Sequence, residues 1–225
     1  MSIMSIINAI SEFGIMIVIA GIFLYTTIRQ NRFNNERYNQ MFNKIMKIET
    51  SHTAQDEVEI IETEDQINAA LKDLLFSSNS ARTLLIRYHN GGKDLNNISF
   101  LKMSVTNEEV RSGIKPLMQD FTNQFRSLFS GALRELKEKE FLYISDISVL
   151  RAIDYALYSF LEASEAVAMC AVPINDEYGN GIGVLTISYQ DIGAVRGEEE
   201  LSRMILEKKI AIETLLNIAK RQRTL

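Results

Sequence analysis

The sequence predicts an α+β domain built on an antiparallel sheet and held behind one N-terminal transmembrane helix. Three observations carry that expectation. Residues 167–189, VAMCAVPINDEYGNGIGVLTISY, place two apolar runs around a turn rich in Asn, Asp and Gly, the pattern of a β-hairpin. Residues 64–76, 115–139 and 198–222 repeat apolar side chains at helical spacing. Residues 13–28, FGIMIVIAGIFLYTTI, carry no charge and are followed at once by Arg29 and Arg32.

At 225 residues the chain has room for a tether and one globular domain of roughly 150 residues. A net charge of −5 argues against a protein that coats nucleic acid with a basic face, and no nucleic-acid partner is expected. Cys170 is the only cysteine and sits in an apolar run, so it reads as a small buried hydrophobe without a disulfide partner. His52 and His89 are far apart and belong to no ligand cluster, so no metal site is expected.

The uncharged run rises only about 24 Å at helical pitch, short of a hydrocarbon core of about 30 Å. The span therefore reaches back to cover residues 6–28, with Glu12 at one membrane interface and Arg29, Arg32 and Arg37 at the other. The leader has no Lys or Arg, so the positive-inside bias puts the N-terminus outside and the C-terminal bulk in the cytoplasm of a single-pass cell-membrane protein. A cleaved signal peptide fits less well, because a basic n-region and a small-residue cleavage site are missing. Beyond the span, Tyr38, Met41, Ile45 and Ile48 follow an a/d pattern for barely two heptads, compatible with a single helical stalk or a dimeric one. Acidic residues from Asp56 to Asp65 then mark the approach to the domain. The expected organisation is leader and transmembrane helix over 1–28, stalk and acidic linker over 29–63, and a folded domain over 64–225.

Within the domain, Thr63 and Gln66 have the spacing of a capping box ahead of the stripe Ile67, Ala70, Leu71, Leu74 and Leu75. Strands are expected over 81–89 and 98–106, with Asn90, Gly91, Gly92, Asn96 and Asn97 supplying the turn. Pro116 suits the first turn of a long helix over 115–139, whose one face would carry Leu117, Phe121, Phe125, Leu128, Phe129, Ala132 and Leu136. A short strand over 141–145 leads through Asp146 to a helix bearing Leu150, Ile153, Leu157, Phe160 and Leu161. After the hairpin, the last helix aligns Leu201, Ile205, Ile212, Leu215 and Ala219, interrupted by Lys208.

This order, with three short motifs, resembles the GAF family of sensor domains related to PAS domains. The matching residues are Phe141 to Asp146 as the strand ending in Ile-x-Asp, Ala171 to Ile174 as the Val-Pro strand end, and Gly181 to Leu185 as the Ile-Gly-Val-Leu strand. The resemblance implies a GAF-like antiparallel sheet with helices on both faces. First and last helices would pack on one face, and connecting helices would cover a ligand pocket on the other. It also implies dimerisation through the first and last helices. No residue set specific for cyclic nucleotides, bilins or haem is present, and the cofactor stays unassigned.

Alternation along 83–89 puts Leu84, Ile86 and Tyr88 on one side and Leu85, Arg87 and His89 on the other. In the next strand Phe100, Lys102 and Ser104 share a side, so Arg87, His89 and Lys102 are candidates to converge on a small anionic ligand in the pocket. A second arrangement competes with it and takes precedence, since surface ion pairs are common: Arg87 and Lys102 pair with Glu108, Glu109 or solvent at a sheet edge, and His89 caps the Asn90 turn. No nucleophile, base and orienting acid stand out as a catalytic set. The expectation is a non-enzymatic, membrane-anchored sensor or adapter, homodimeric, that binds a small molecule or a cytoplasmic protein partner. The alternatives are a ligand-free membrane scaffold that recruits a cytoplasmic complex, and an enzyme of unrecognised type.

Overall fold

The computed structural model describes residues 54–93 and 99–222, and its compact unit begins at Val58. The expected transmembrane helix, the stalk and the interface residues Glu12, Arg29, Arg32 and Arg37 lie outside the described residues. Among the described residues, no helix is long and apolar enough to cross a membrane.

Six strands form one antiparallel sheet in the order β3-β2-β1-β6-β5-β4. They are β1 (Arg82–Lys93), β2 (Ser99–Val110), β3 (Gln124–Phe125), β4 (Leu142–Ile144), β5 (Ala168–Asn175) and β6 (Gly181–Tyr189). The expected hairpin forms as β5 and β6, because Asp176 accepts the N–H groups of Tyr178 (3.0 Å) and Asn180 (2.9 Å) and Gly179 takes a φ of +79°. That side-chain turn leaves apolar strands on either side free to pair.

Helices α1 (Ala54–Ser77) and α5 (Glu198–Gln222) cover one face. Ile67, Leu71 and Leu74 of α1 and Leu201, Ile205 and Ile212 of α5 are buried against Leu85, Cys170, Val172, Leu185 and Ile187. The stripes repeat every three or four residues, so each helix turns one continuous apolar edge to the sheet. Lys208, expected to interrupt that stripe, pairs instead with Asp73 of α1 at 2.5 Å. The capping-box expectation does not hold: helix runs through Thr63, whose hydroxyl donates to Glu59 O four residues back at 2.9 Å. Apolar demand at Ile67 and beyond fixes the packed part of the helix, while the polar segment before it simply continues the coil.

The other face carries α2 (Ser130–Lys139), α3 (Leu150–Ile153) and α4 (Tyr155–Ala163). The long helix expected over 115–139 is the main error. Only its last 10 residues, α2, are α-helical; before them come a turn-rich strap, the two-residue strand β3 and a 3-10 turn, Arg126–Phe129. Two long-range pins prevent a helix: Glu108 of β2 accepts the N–H groups of Leu117 and Met118, and Val105 N–H donates to Phe121 O at 3.0 Å. Asn123 then takes a φ of +57°, which redirects the chain into β3. The helix expected from Asp146 is likewise broken, at Asp154, between α3 and α4. Gly91 and Gly92, expected in a turn, belong to the end of β1.

Candidate functional site

The cavity-forming face is built from even-numbered positions of β1. Leu84 and Ile86 point there with Met103 and Val105 of β2, Ala171 of β5 and Val184 of β6. Phe121 of the strap, Phe129, Leu136 of α2 and Phe160 of α4 close over them. The Phe121 ring meets Phe160 edge-on at 4.6 Å and Phe129 at 5.6 Å, so three aromatic side chains plug the space above the sheet. What remains is an apolar cavity of about 70 Å³.

Arg82, one residue before Leu84's predecessor, also belongs to this side and stands at the end of the cavity. Its side chain is 2% exposed and that of Glu108 is 3%, with Nε 3.2 Å from Glu108 Oε1. The approach is close enough for an ion pair but badly directed, and Nε is buried without a hydrogen-bond partner. Arg82 Nη2 donates to Lys115 O at 2.8 Å. Glu108 meanwhile accepts Leu117 N–H at 2.8 Å and Met118 N–H at 2.8 Å. The pair therefore clasps the strap over residues 115–118 to β1 and β2. Burial lowers the Arg82 pKa and the neighbouring Glu108 carboxylate opposes that shift.

A second, polar hollow of about 330 Å³ adjoins the first. Arg82, Leu117, Phe160 and Ser164 line both, and Lys115, Asp120, Glu165 and Gln190 line the polar one. An apolar chamber thus meets a polar one at a buried guanidinium, the usual composition of a small-molecule site.

The residues singled out from sequence lie elsewhere. Pairing sets Arg87 opposite Ser104 and His89 opposite Lys102, so the three do share one face of β1 and β2. That face is the one covered by α1, away from the cavity. Arg87 pairs with Glu64 of α1 at 3.0 Å and with Asn107 at 3.1 Å. His89 Nε2 lies 2.9 Å from Ser104 Oγ, and the Lys102 ammonium sits 5.2 Å from the centre of the Phe125 ring. The expectation that they converge in the pocket is corrected by the sheet's pleat: Leu85, which precedes them at period two, is already in the helix-side core. Glu109 makes no part of the cavity wall.

Arg82 and Glu165 were not singled out by sequence, and Glu108, expected to pair with Arg87 or Lys102, pairs with Arg82. Extending the alternation of β1 one step back from Leu84 and Ile86 would have put a charge on the buried side, which is the signal that marks Arg82. Cys170 lies on the helix-side face, where burial pushes its thiol pKa up and keeps it a hydrophobe.

No protein-family profile matches the chain, and no curated protein matches it. Solved structures do. The phycoerythrobilin-bound GAF domain of a cyanobacterial phytochrome superposes with a TM-score of 0.57 at 15% identity, over 76% of this chain and 92% of that one. The chain has the GAF fold. The blue-light-absorbing form of the Thermosynechococcus elongatus PixJ GAF domain aligns with a TM-score of 0.52 at 14% identity, over 74% of this chain and 94% of that one. A far-red cyanobacteriochrome photoreceptor gives 0.52 at 14% identity, over 79% and 98%. In this GAF-like domain the two hollows lie on the sheet face opposite α1 and α5.

Proposed function

We propose that this chain is a membrane-anchored, homodimeric sensor whose GAF-like domain binds a small molecule between the sheet and the strap, α2 and α4. One observation carries the reading: a buried guanidinium, with an Nε that makes no hydrogen bond, joins an apolar hollow to a polar one that exposed residues line. Burying this charge carries a desolvation cost that the Glu108 pair only partly offsets, and groups kept under such cost cluster at functional sites. The strap is the natural reporter, since the Arg82–Glu108 clasp holds it and its Phe121 plugs the cavity. The role proposed is binding, with signal passed through a dimer or to a cytoplasmic partner rather than through a reaction.

A phycoerythrobilin of the kind bound in the first structural neighbour needs several times the apolar space present, since ligand pockets run to about 300–1,000 Å³. A bilin is therefore not the proposed ligand. The tightness of the same apolar cavity favours a second reading, a scaffold whose core is filled by its own Phe121, Phe129 and Phe160. Native mass spectrometry of the full chain released from detergent separates the two. A stoichiometric small molecule retained by the wild type supports sensing; an empty chain that no small-molecule screen stabilises against heat supports the scaffold.

A further inference from the structure

We infer that the open rim of the sheet, at β3 and the turn after it, docks on an anionic lipid bilayer. This rests on the membrane-anchor part of the reading above and adds a second contact, made by the folded domain itself. β3 pairs only with β2, so it forms one rim of the sheet. Along this stretch Leu101 is 50% exposed, Phe125 42% and Leu128 50%, three large apolar side chains on an edge strand and its neighbours. Leu101 stands two residues from Met103 of the cavity-side core and shares its face, while Phe125 lies opposite Lys102 on the α1 side. Each face also brings a cation to the rim. The Lys102 ammonium sits 5.2 Å from the centre of the Phe125 ring, and the Arg126 guanidinium lies 3.7 Å from that of Tyr88.

Among the described residues neither Lys102 nor Arg126 pairs with a carboxylate. Glu64, which α1 brings to this side of the sheet, is engaged by Arg87 and Asn107. The exposed apolar group on α3 and α4 differs, because its Arg151 is paired with Glu162 at 3.8 Å. In a chain of net charge −5, an apolar rim bearing two such cations is complementary to anionic headgroups over acyl chains: the apolar tips enter the interface and the cationic heads reach the phosphates. A bilayer fits better than a peptide, since the apolar groups stand on both faces of a rim and line no single groove. Position agrees. The Thr83 hydroxyl donates to Leu71 O and Arg87 pairs with Glu64, so β1 runs toward the beginning of α1, and Lys102 and Leu101 lie opposite His89 and Asn90 at that end. The chain enters the compact unit there, at Val58, so an anchor upstream of α1 tethers the domain by the end that carries the rim.

The sequence contains no tryptophan, so Phe125→Trp supplies a single reporter at the rim, and Ile192→Trp supplies a control beyond β6, whose Ser188 pairs with Arg82 at the opposite end of β1. The full chain is assembled into nanodiscs of phosphatidylcholine with or without phosphatidylglycerol. The Phe125→Trp emission is expected to shift to the blue and to be quenched by brominated acyl chains in discs containing phosphatidylglycerol. Both effects are lost in phosphatidylcholine discs, and in about 1 M salt, where the screening length falls to about 3 Å. Adding Lys102→Glu and Arg126→Glu lowers the ratio of docked to undocked chain about tenfold or more. The Ile192→Trp emission stays unquenched in every disc. Co-elution with both discs and a Phe125→Trp emission indifferent to headgroup charge overturns the docking and leaves the anchor standing. A blue shift that appears in detergent alone and grows with protein concentration marks a second copy on the rim and also overturns it, as does equal quenching of the two reporters. Co-elution with phosphatidylglycerol discs alone removes the anchor and keeps the docking; elution apart from both discs removes both.

Discussion

Glu108 and Arg82 face each other with almost no exposed side-chain surface, so removing either strands the other in a dry site. Glu108→Ala also frees two N–H groups of the strap. It should cost about 3–5 kcal/mol in urea unfolding, the range for breaking a buried pair from one side. The double variant Arg82→Met with Glu108→Leu should recover much of that loss, because no charge is left unpaired; additive losses would show that the pair is not coupled. Gly183 of β6 is required for a different reason. A Cβ there would lie 2.4 Å from Ile86 O, a backbone atom that cannot turn aside. Gly183→Ala is expected to destabilise by about 1–3 kcal/mol, and a change below about 0.5 kcal/mol would show that β1 and β6 can separate without cost. The need for glycine at 183 was visible as a motif in the sequence, but its cause, the approach of the Ile86 carbonyl on the neighbouring strand, is a property of strand pairing.

Among the elements, α2 and α4 share one anchor. Asp154 is buried, accepts Leu157 N–H at 3.0 Å as the N-cap of α4, and accepts Ala132 N–H at 2.9 Å in the first turn of α2. Asp154→Ala should cost about 2 kcal/mol or more, with hydrogen exchange accelerating in α2 and α4 together. Acceleration in α4 alone would mean that the bond to Ala132 is dispensable. Helices α1 and α5 are clasped by Lys208 and Asp73, and the carboxylate raises the Lys208 pKa above its ordinary 10.5. A raised pKa means that the stabilising contribution is complete below pH about 10.5 and is lost as pH climbs through the raised value. Asp73→Asn should accordingly lower stability at neutral pH, modestly because Asp73 is largely exposed, and flatten the alkaline limb, so that the two profiles converge above the raised pKa; parallel profiles across the alkaline range would remove this pair as the cause. Both outer helices were legible from their stripes because each packs one face on a sheet. The strap was misread as helix because its buried Leu117 and Phe121 also stand four apart; the Glu108 acceptor and the Val105–Phe121 bond that override helical propensity come from a distant strand.

For the whole molecule, Val58 and Ile61 of α1 and Leu206, Ile210 and Ile218 of α5 remain exposed apolar groups on the outer helical layer. They support the proposed homodimer, and Ile61→Glu with Ile210→Glu should convert it to a monomer in analytical ultracentrifugation; an unchanged sedimentation coefficient would remove α1 and α5 as the contact. The proposed anchor is tested by a cysteine introduced at Ser51 in a Cys170→Ala background: an impermeant thiol reagent should label it only after cells are opened, and labelling of intact cells would reverse the topology. The sequence by itself determined the hairpin of β5 and β6, the final helix and the GAF-like order of elements, because turn chemistry and apolar periodicity are local properties. Only the tertiary structure decided which charges meet the cavity. Asn107 pairs with Leu85 and Val105 with Ile86, which leaves Thr106 as a bulge in β2. That extra residue reverses the alternation, so Glu108 faces the cavity with Arg82 while Lys102 and Ser104 face the α1 side. One unpaired residue in a ladder changes the face of every side chain beyond it, and its position depends on a partner strand that periodicity within β2 does not see.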